Sequence, residues 1–457
     1  MKRSTQLGID LALGGAILLL AGCKGIATKG EKEARNEFSE VQSIYRPDNA
    51  RPVLPELTAD PGLSNHLVYA LLNSRRVEAT YHDWSASVER ITVERSLPDP
   101  QVTFQMDIMD TVTSVMPGFM QMFPGPGKLS ARANLATAES QSRYFAFESA
   151  VLAAAFELKR AYYELHFLDE QIRINQENLT LLNELEQTAR AQSEAGNVTL
   201  QDVLRAQIER DRVATDILNL EDSRHPKYAA FKAALGMTTQ QENPPVPIDF
   251  ESTDLGISDE ELLQIASQQN PELKELHSEI RAMEAEIAVA YKQNVPDFSL
   301  GLMADVQANP TMFRPLTGMT LPVWRDKVAA GIASATARQL AAESRLTQRE
   351  IDLTVNVAER TFAYRELNRN LTLLQQQLIP KARMSVEIAR AGYLSGTISF
   401  FNLIDAERQQ LGFQLEEVEA RIRREIVLAE LSLIIAGIPP QGAPLLEQYF
   451  PPTPDRS

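Results

Sequence analysis

The chain contains itself twice. Pro98-Asp99-Pro100 opens a run of alternating apolar and polar residues that Pro124 closes. Pro296-Asp297 opens a second such run, closed by Pro322, and both offsets are 198 residues. Farther along, EAGNVTLQDVL at 194–204 is echoed by LSGTISFFNLI at 394–404, 200 residues on, and Gly236 and Gly437 end the two copies 201 apart. A repeat this long, with so little drift, means tandem copies of one structural unit. Each copy reads as helix, strand, strand, long helix, helix.

Between Lys128 and Ala195 there is neither glycine nor proline. An unbroken helix of that length would extend roughly 100 Å at 1.5 Å per residue. Leu152, Ala155, Leu158, Tyr162, Leu165 and Leu168 recur at helical spacing, so this helix is expected to pack along neighbours in coiled-coil fashion. Its counterpart, 332–391, holds Pro380, where a kink is expected. Shorter helices are expected at 199–235, across Pro226, and at 399–436. Single helices at 63–94 and 259–293 precede the two strand regions.

Val102, Phe104, Met106 and Ile108 alternate with Gln101, Thr103, Gln105 and Asp107; Phe298, Leu300, Leu302 and Val306 fall opposite Asp297, Ser299 and Asp305. Period two with one apolar and one polar face fits strands between lipid and water. The returning strands, 118–123 and 316–323, are apolar, glycine-containing and bounded by prolines, which makes one hairpin per copy. Four strands cannot close a membrane barrel, whose smallest single-chain form has about eight, and an open edge in lipid leaves backbone groups unpaired. The chain must therefore pool strands with copies of itself.

Lys2 and Arg3 precede an apolar stretch, 11–20, and then Leu20-Ala21-Gly22-Cys23. This reads as a secretory signal, too short to span a membrane. Cys23 is the only cysteine, so no disulfide forms within one chain. The Leu-Ala-Gly-Cys run resembles a bacterial lipoprotein signal, which implies cleavage before Cys23 and its lipidation; an ordinary signal with an incidental cysteine is the alternative. Lys24, where an aspartate would favour inner-membrane retention, points to the outer membrane. The net charge of −16 is spread along helices without a basic block, which excludes nucleic acid as the expected partner.

Taken together these residues look like the TolC-type outer-membrane efflux family over 60–438. The features that carry the likeness are Pro-Asp-Pro before the first strand, Phe123-Pro124-Gly125-Pro126-Gly127-Lys128 leading into the long helix, and Pro296-Asp297 before the third strand. The two helix-turn-helix tips, 189–204 and 389–404, and the closing Leu235-Gly236 and Ala436-Gly437 complete it. The resemblance implies a mainly α fold with a β-barrel portion. Three copies would form a 12-stranded outer-membrane β-barrel continuous with a periplasmic α-helical barrel. It implies a passive exit duct served by a periplasmic adaptor and an inner-membrane pump of the RND or ABC type. The Pro-Gly-Lys lead-in and the lipid signal are most similar to the heavy-metal cation-efflux branch. The organisation expected is a signal peptide at 1–22, an extended lipid-anchored tether at 23–59, repeats at 60–237 and 258–438 joined by a linker at 238–257, and a proline-rich tail at 439–457.

Gly196 and Gly396 suit the positive φ that reverses a chain after a helix, and Thr199 and Ser399 can cap the helices that follow. That account is complete in itself; the family adds that these tips form the adaptor-docking surface and the closed periplasmic entrance. Asp202, three residues after Thr199, has capping-box spacing. By the resemblance it also falls where a carboxylate latches neighbouring helices, with Tyr393 on its phenolic partner, and both readings stand. Asp405 matches a pore-lining carboxylate or is a plain exposed one. Asn402 stands where the family's second ring carboxylate would be, and Ile398 where its latch arginine would be, so the gate here is weaker or differently built. His66, His82, His166, His225 and His277 show no metal-ligand spacing and read as surface or packing residues. No catalytic motif and no cofactor signature stands out. Besides an efflux duct, a type I secretion duct and a periplasmic coiled-coil scaffold remain open, and the lipid-facing stripes at Phe104 and Phe298 argue against the scaffold.

Overall fold

A computed structural model describes residues 27–58, 63–108, 112–196, 198–238, 240–247 and 255–436. The chain divides into two compact units: 1–48, 80–147 and 271–349 form one, and 49–79, 148–270 and 350–457 the other.

The first unit holds a single antiparallel sheet. Its strands, β1 (Gln101–Ile108), β2 (Val112–Phe123), β3 (Phe298–Asp305) and β4 (Met312–Met319), lie in chain order, so each repeat supplies one hairpin and β1 and β4 are the edges. β4 ends earlier than its apolar run. Thr320 still donates its N–H to Asp297 O at 2.9 Å, but Pro322 has no N–H to continue a ladder and Val323 turns back onto Leu321 O. At the sheet base Asp297 Oδ1 accepts from Lys128 Nζ and from Gly125 N–H, both at 2.7 Å. Burial pushes the Asp297 carboxyl up, but Lys128 and the Gly125 amide outweigh it and hold the group below its ordinary range. The turn comes close enough that a Cβ on Gly125 would sit 2.3 Å from Pro296 O.

The stretch 23–59 is not extended throughout. It contains helix α1 (Lys29–Tyr45), with Thr28 Oγ1 accepting from Glu31 N–H as its N-cap. The tether reading missed this because the stabilising partners lie far away in sequence. Phe38 packs on Tyr81 and Trp84, and Tyr45 on Tyr81 and Phe147. Glu31, fully buried, meets Arg35 at 3.1 Å and Arg95 at 2.8 Å, while Arg35 forks onto Glu89. A buried carboxylate held by two guanidiniums is costly to disrupt.

The two helices expected ahead of the strands are each broken. α2 (Ser64–Asn73) and α3 (Arg75–Arg95) part at Ser74, and α6 (Asp259–Gln269) and α7 (Pro271–Lys292) part at Asn270. Both break residues leave the helical region, with ψ 120°. Pro271 forces Asn270 out of the helical region, and Ser74 caps α3 through Val77 N–H. The breaks have a use in the second unit. Asn73 Nδ2 donates to Leu235 O and Gly236 O, closing α5 (Leu200–Ala234), and Asn270 Nδ2 donates to Ile434 O, closing α10 (Phe400–Ile434). Each repeat thus satisfies the orphan carbonyls of its last helix with an asparagine from its first.

The long helices are α4 (Lys128–Glu194), 67 residues, and α8 (Arg325–Leu373), followed by α9 (Ile379–Leu394). Between α8 and α9 the expected interruption at Pro380 takes the form of a π turn, Leu374–Leu378. Proline lacks an N–H and crowds the carbonyl four residues back, and a wider turn just before it absorbs both faults. Two of the histidines fasten the link between repeats: His66 Nε2 and His166 Nε2 each lie 2.9 Å from a prolyl carbonyl, of Pro245 and Pro247.

Candidate functional site

Two surfaces stand out on the chain. On the sheet, the register places Val102, Phe104 and Met106 beside Val115, Pro117 and Phe119, then Phe298, Leu300 and Leu302, then Phe313, Pro315 and Met319. This face is apolar on all four strands except for Gln121 and Thr317, which flank Leu300, and Val102 and Phe104 are 86% and 63% exposed. The opposite face carries Thr103, Gln105, Ser114 and Asp305, with Ser114 Oγ donating to Asp305 at 3.0 Å. No helix among the described residues is long and apolar enough to cross a membrane. A soluble protein seldom exposes a contiguous apolar face of this extent.

The second surface is the pair of helix tips, α4 to α5 and α9 to α10. Gly196 and Gly396 take φ of +77° and +78°, and a Cβ at either position would meet no heavy atom, so the backbone conformation alone asks for glycine. Ser399 Oγ accepts from Asn402 N–H, whereas Thr199 makes no such cap and its hydroxyl donates to Asp202 Oδ2 at 3.3 Å. The tips share one core in which Tyr393, Phe400, Leu403 and Ile404 meet Leu185, Ala189, Val203 and Ala206. Tyr393 is 4% exposed, edge-on to Phe400 at 5.3 Å, and its hydroxyl has no hydrogen-bond partner among the described residues. Burial first, and then the negative field of Asp202, raise the phenol's pKa. Tyr393 and Asp202 are therefore electrostatic neighbours that do not bond within this protomer. Asp405 and Asn402 are exposed, and Ile398 packs over Gly392.

The contacts that cross from one tip hairpin to the other are charged, and the sequence reading did not name them. Arg408 of α10 pairs with the buried Glu209 of α5, and Arg390 of α9 with Glu184 of α4 at 3.2 Å. Glu186 gathers Arg190, Arg210 and Gln207. The repeat does not announce them: α5 and α10 align at the 200-residue offset, which sets Glu209 against Gln409 and Arg408 against Ile208. Leu200, Leu204 and Ile208 form an exposed stripe on α5, and Leu394 and Phe401 are exposed beside the second tip. Among the described residues no cluster of histidine, cysteine or acidic side chains could hold a metal ion. Cys23 and Gly437 lie outside the described residues.

Over 377 residues the chain is 22% identical to the cobalt-zinc-cadmium resistance protein CzcC of Cupriavidus metallidurans, covering 78% of this chain and 86% of that one. It superposes on the outer-membrane channel OprN with TM-score 0.73 at 17% identity, covering 91% and 97% of the two chains. The open state of the Neisseria gonorrhoeae MtrE outer membrane channel gives 0.70 at 15% identity, covering 84% and 97%. The family described as outer membrane efflux protein matches residues 67–237 and 262–437. With both copies of its repeat matched, the chain belongs to the outer membrane efflux protein family, the exit ducts of efflux systems.

Proposed function

We propose that this chain is the exit duct of a tripartite pump expelling heavy-metal cations, and that it works as a homotrimer. The observation that carries this is the sheet, whose outer face is predominantly apolar from β1 to β4 and whose two edge strands offer unpaired backbone groups that lipid cannot satisfy. Pairing β4 of one copy with β1 of the next closes 12 strands from three copies. The repeats 60–237 and 258–438, joined by 238–257, supply equivalent hairpins, and the tail 439–457 follows the second.

Lipidation of Cys23 fits where α1 begins. Gly30 lies against Thr137, and Ala34 packs with Ala133 and Ala136, within the first turns of α4 next to the sheet base. The six residues from Cys23 to Lys29 reach at most about 20 Å when extended, enough to return to the membrane surface. At the tips, Gly196, Thr199, Gly396 and Ser399 set the turns on which a periplasmic adaptor docks, using the exposed Leu200 stripe and Phe401. Tyr393, Asp202, Asp405 and Asn402 form the entrance, whose carboxylates, exposed at Asp405 and half-buried at Asp202, favour cations. The pump is of the RND or ABC type. The substrate class rests on the likeness to the cobalt-zinc-cadmium resistance protein.

The test is averaged electron microscopy of the purified protein joined to metal susceptibility of a deletion strain. Threefold particles and hypersensitivity to cobalt, zinc or cadmium, with unchanged antibiotic susceptibility, are the expected result. Threefold particles with defective protein export would replace this reading with a secretion duct.

A further inference from the structure

We propose that the collar just below the sheet, built from Leu321, Val323, Trp324, Arg325 and Lys327, binds anionic phospholipid headgroups of the membrane leaflet that faces the periplasm. The proposal rests on the outer-membrane reading of the apolar sheet face. Leu321 follows the lipid-face residue Met319 by two positions, just beyond the last ladder contact of Thr320 with Asp297, so the collar continues that face past the end of the strands. Leu321, Val323 and Trp324 are 64%, 64% and 75% exposed. An indole at the edge of an apolar band is suited to the headgroup layer, where its ring is in hydrocarbon and its N–H in water.

The charges beside Trp324 point the same way. Within this unit the later arginines of α8 are all committed, Arg338 to Glu286, Arg345 to Glu279 and Arg349 to Glu272. Arg325 and Lys327 are exposed and form no ion pair among the described residues, and with the exposed Asp326 between them the turn keeps one net positive charge. Both lie in the first turn of α8, where the helix dipole disfavours positive charge. Unpaired cations in that setting, beside a naked apolar band and on a chain of net charge −16, are complementary to a phosphate-bearing surface. A protein partner would leave the continuity with the lipid face unexplained.

The chain has two tryptophans, and Trp84 is 1% exposed within an aromatic cluster, so fluorescence quenching from the membrane reports Trp324. The full-length protein is reconstituted in vesicles carrying brominated phosphatidylglycerol or brominated phosphatidylcholine, with bromines near the headgroup or deep in the chains. Shallow bromines should quench more than deep ones, and Trp324→Phe should remove the quenchable component. The preference for phosphatidylglycerol over phosphatidylcholine should fall about fivefold for each cation removed in Arg325→Gln and Lys327→Gln. A preference that survives both substitutions overturns the phosphate assignment. A second reporter, Phe104→Trp in the Trp324→Phe background, separates the remaining outcomes. If it is quenched while Trp324 is not, protein covers the collar and the proposal is wrong although the duct reading stands. If neither is quenched, both fall.

Discussion

The buried, unpartnered phenol of Tyr393 allows a sharp test of the gate. In Tyr393→Phe the ring keeps its contact with Phe400 and its place in the tip core, and only the hydroxyl is lost. A buried hydroxyl without a partner carries a desolvation cost of about 1–3 kcal/mol. The void left by one oxygen returns only a few tenths of a kcal/mol at about 24 cal/mol per Å³. The conformation described here should therefore gain about 1 kcal/mol, which for a chain of this size raises the thermal midpoint by about 1 °C. If the latched entrance is one in which this phenol reaches Asp202, the same change removes a hydrogen bond to a charged group, worth about 1.5–3 kcal/mol, from the closed state only. Closed and open populations then shift by at least about tenfold toward open. Differential scanning of the detergent-purified protein and single-channel recording in planar bilayers read the two effects. The expected pair is an unchanged or slightly raised midpoint with larger current. A lowered midpoint with unchanged current would refute the reasoning, because it would mean that the hydroxyl is satisfied in the assembled protein and that Tyr393 only fills the core.

Three further outcomes follow from the same geometry. Asp297→Asn weakens the bonds to Lys128 and Gly125 that tie the sheet base together and should cost about 1–2 kcal/mol in chemical denaturation at neutral pH. Because the folded carboxyl titrates below its ordinary 3.8, the wild-type advantage is present above that value and disappears as pH falls through the folded one. Glu407→Gln should act in the opposite sense. Burial raises the folded pKa of Glu407 although Arg390 opposes it, so its ionised form is a burden at neutral pH; the variant's gain shrinks as pH drops from the raised folded value toward the unfolded value near 4.5 and is gone below it. Arg408→Met strands the buried Glu209 and should destabilise more than Arg408→Met with Glu209→Leu, by about 1–2 kcal/mol given that Arg408 is half exposed; equal losses would deny any cross-hairpin coupling.

The parts of the fold legible in the sequence were those governed by periodicity and by residues with one conformational meaning. The strand alternation around Val102 and Phe298 and the glycine at each tip needed no tertiary partner to be interpreted. Helix breaks were harder. Nothing in the apolar pattern of 63–94 marks Ser74, because the reason for the break is that Asn73 must reach the carbonyls of Leu235 and Gly236, 162 and 163 residues away. Pro380 announced an interruption but not its form, since a kink and a π turn solve the same missing N–H. Helix α1 was invisible for a related reason. Its charged and aromatic residues look like a polar tether until Arg95, Trp84 and Phe147 are brought against them.

The tip site divides along the same line. Turn residues could be placed from the sequence, and the bond expected between Tyr393 and Asp202 is absent within the protomer described here, while salt bridges from Arg408 and Arg390 bind the hairpins together. These pairs have no counterpart in the other copy: Arg408 aligns with Ile208 and its partner Glu209 with Gln409, while Arg210 turns back to Glu186 within its own hairpin. A duplicated sequence therefore becomes an asymmetric lock. If the two hairpins separate when the entrance widens, the cross-hairpin pairs must break while the Glu186 cluster stays whole. Ile398 removes the arginine that the family resemblance would place at the tip, and Arg408 supplies a cation about two turns into α10, where Glu209 is buried and screening by salt is weaker. If the entrance opens by parting these hairpins, the strength of closure resides behind the tips instead of at them.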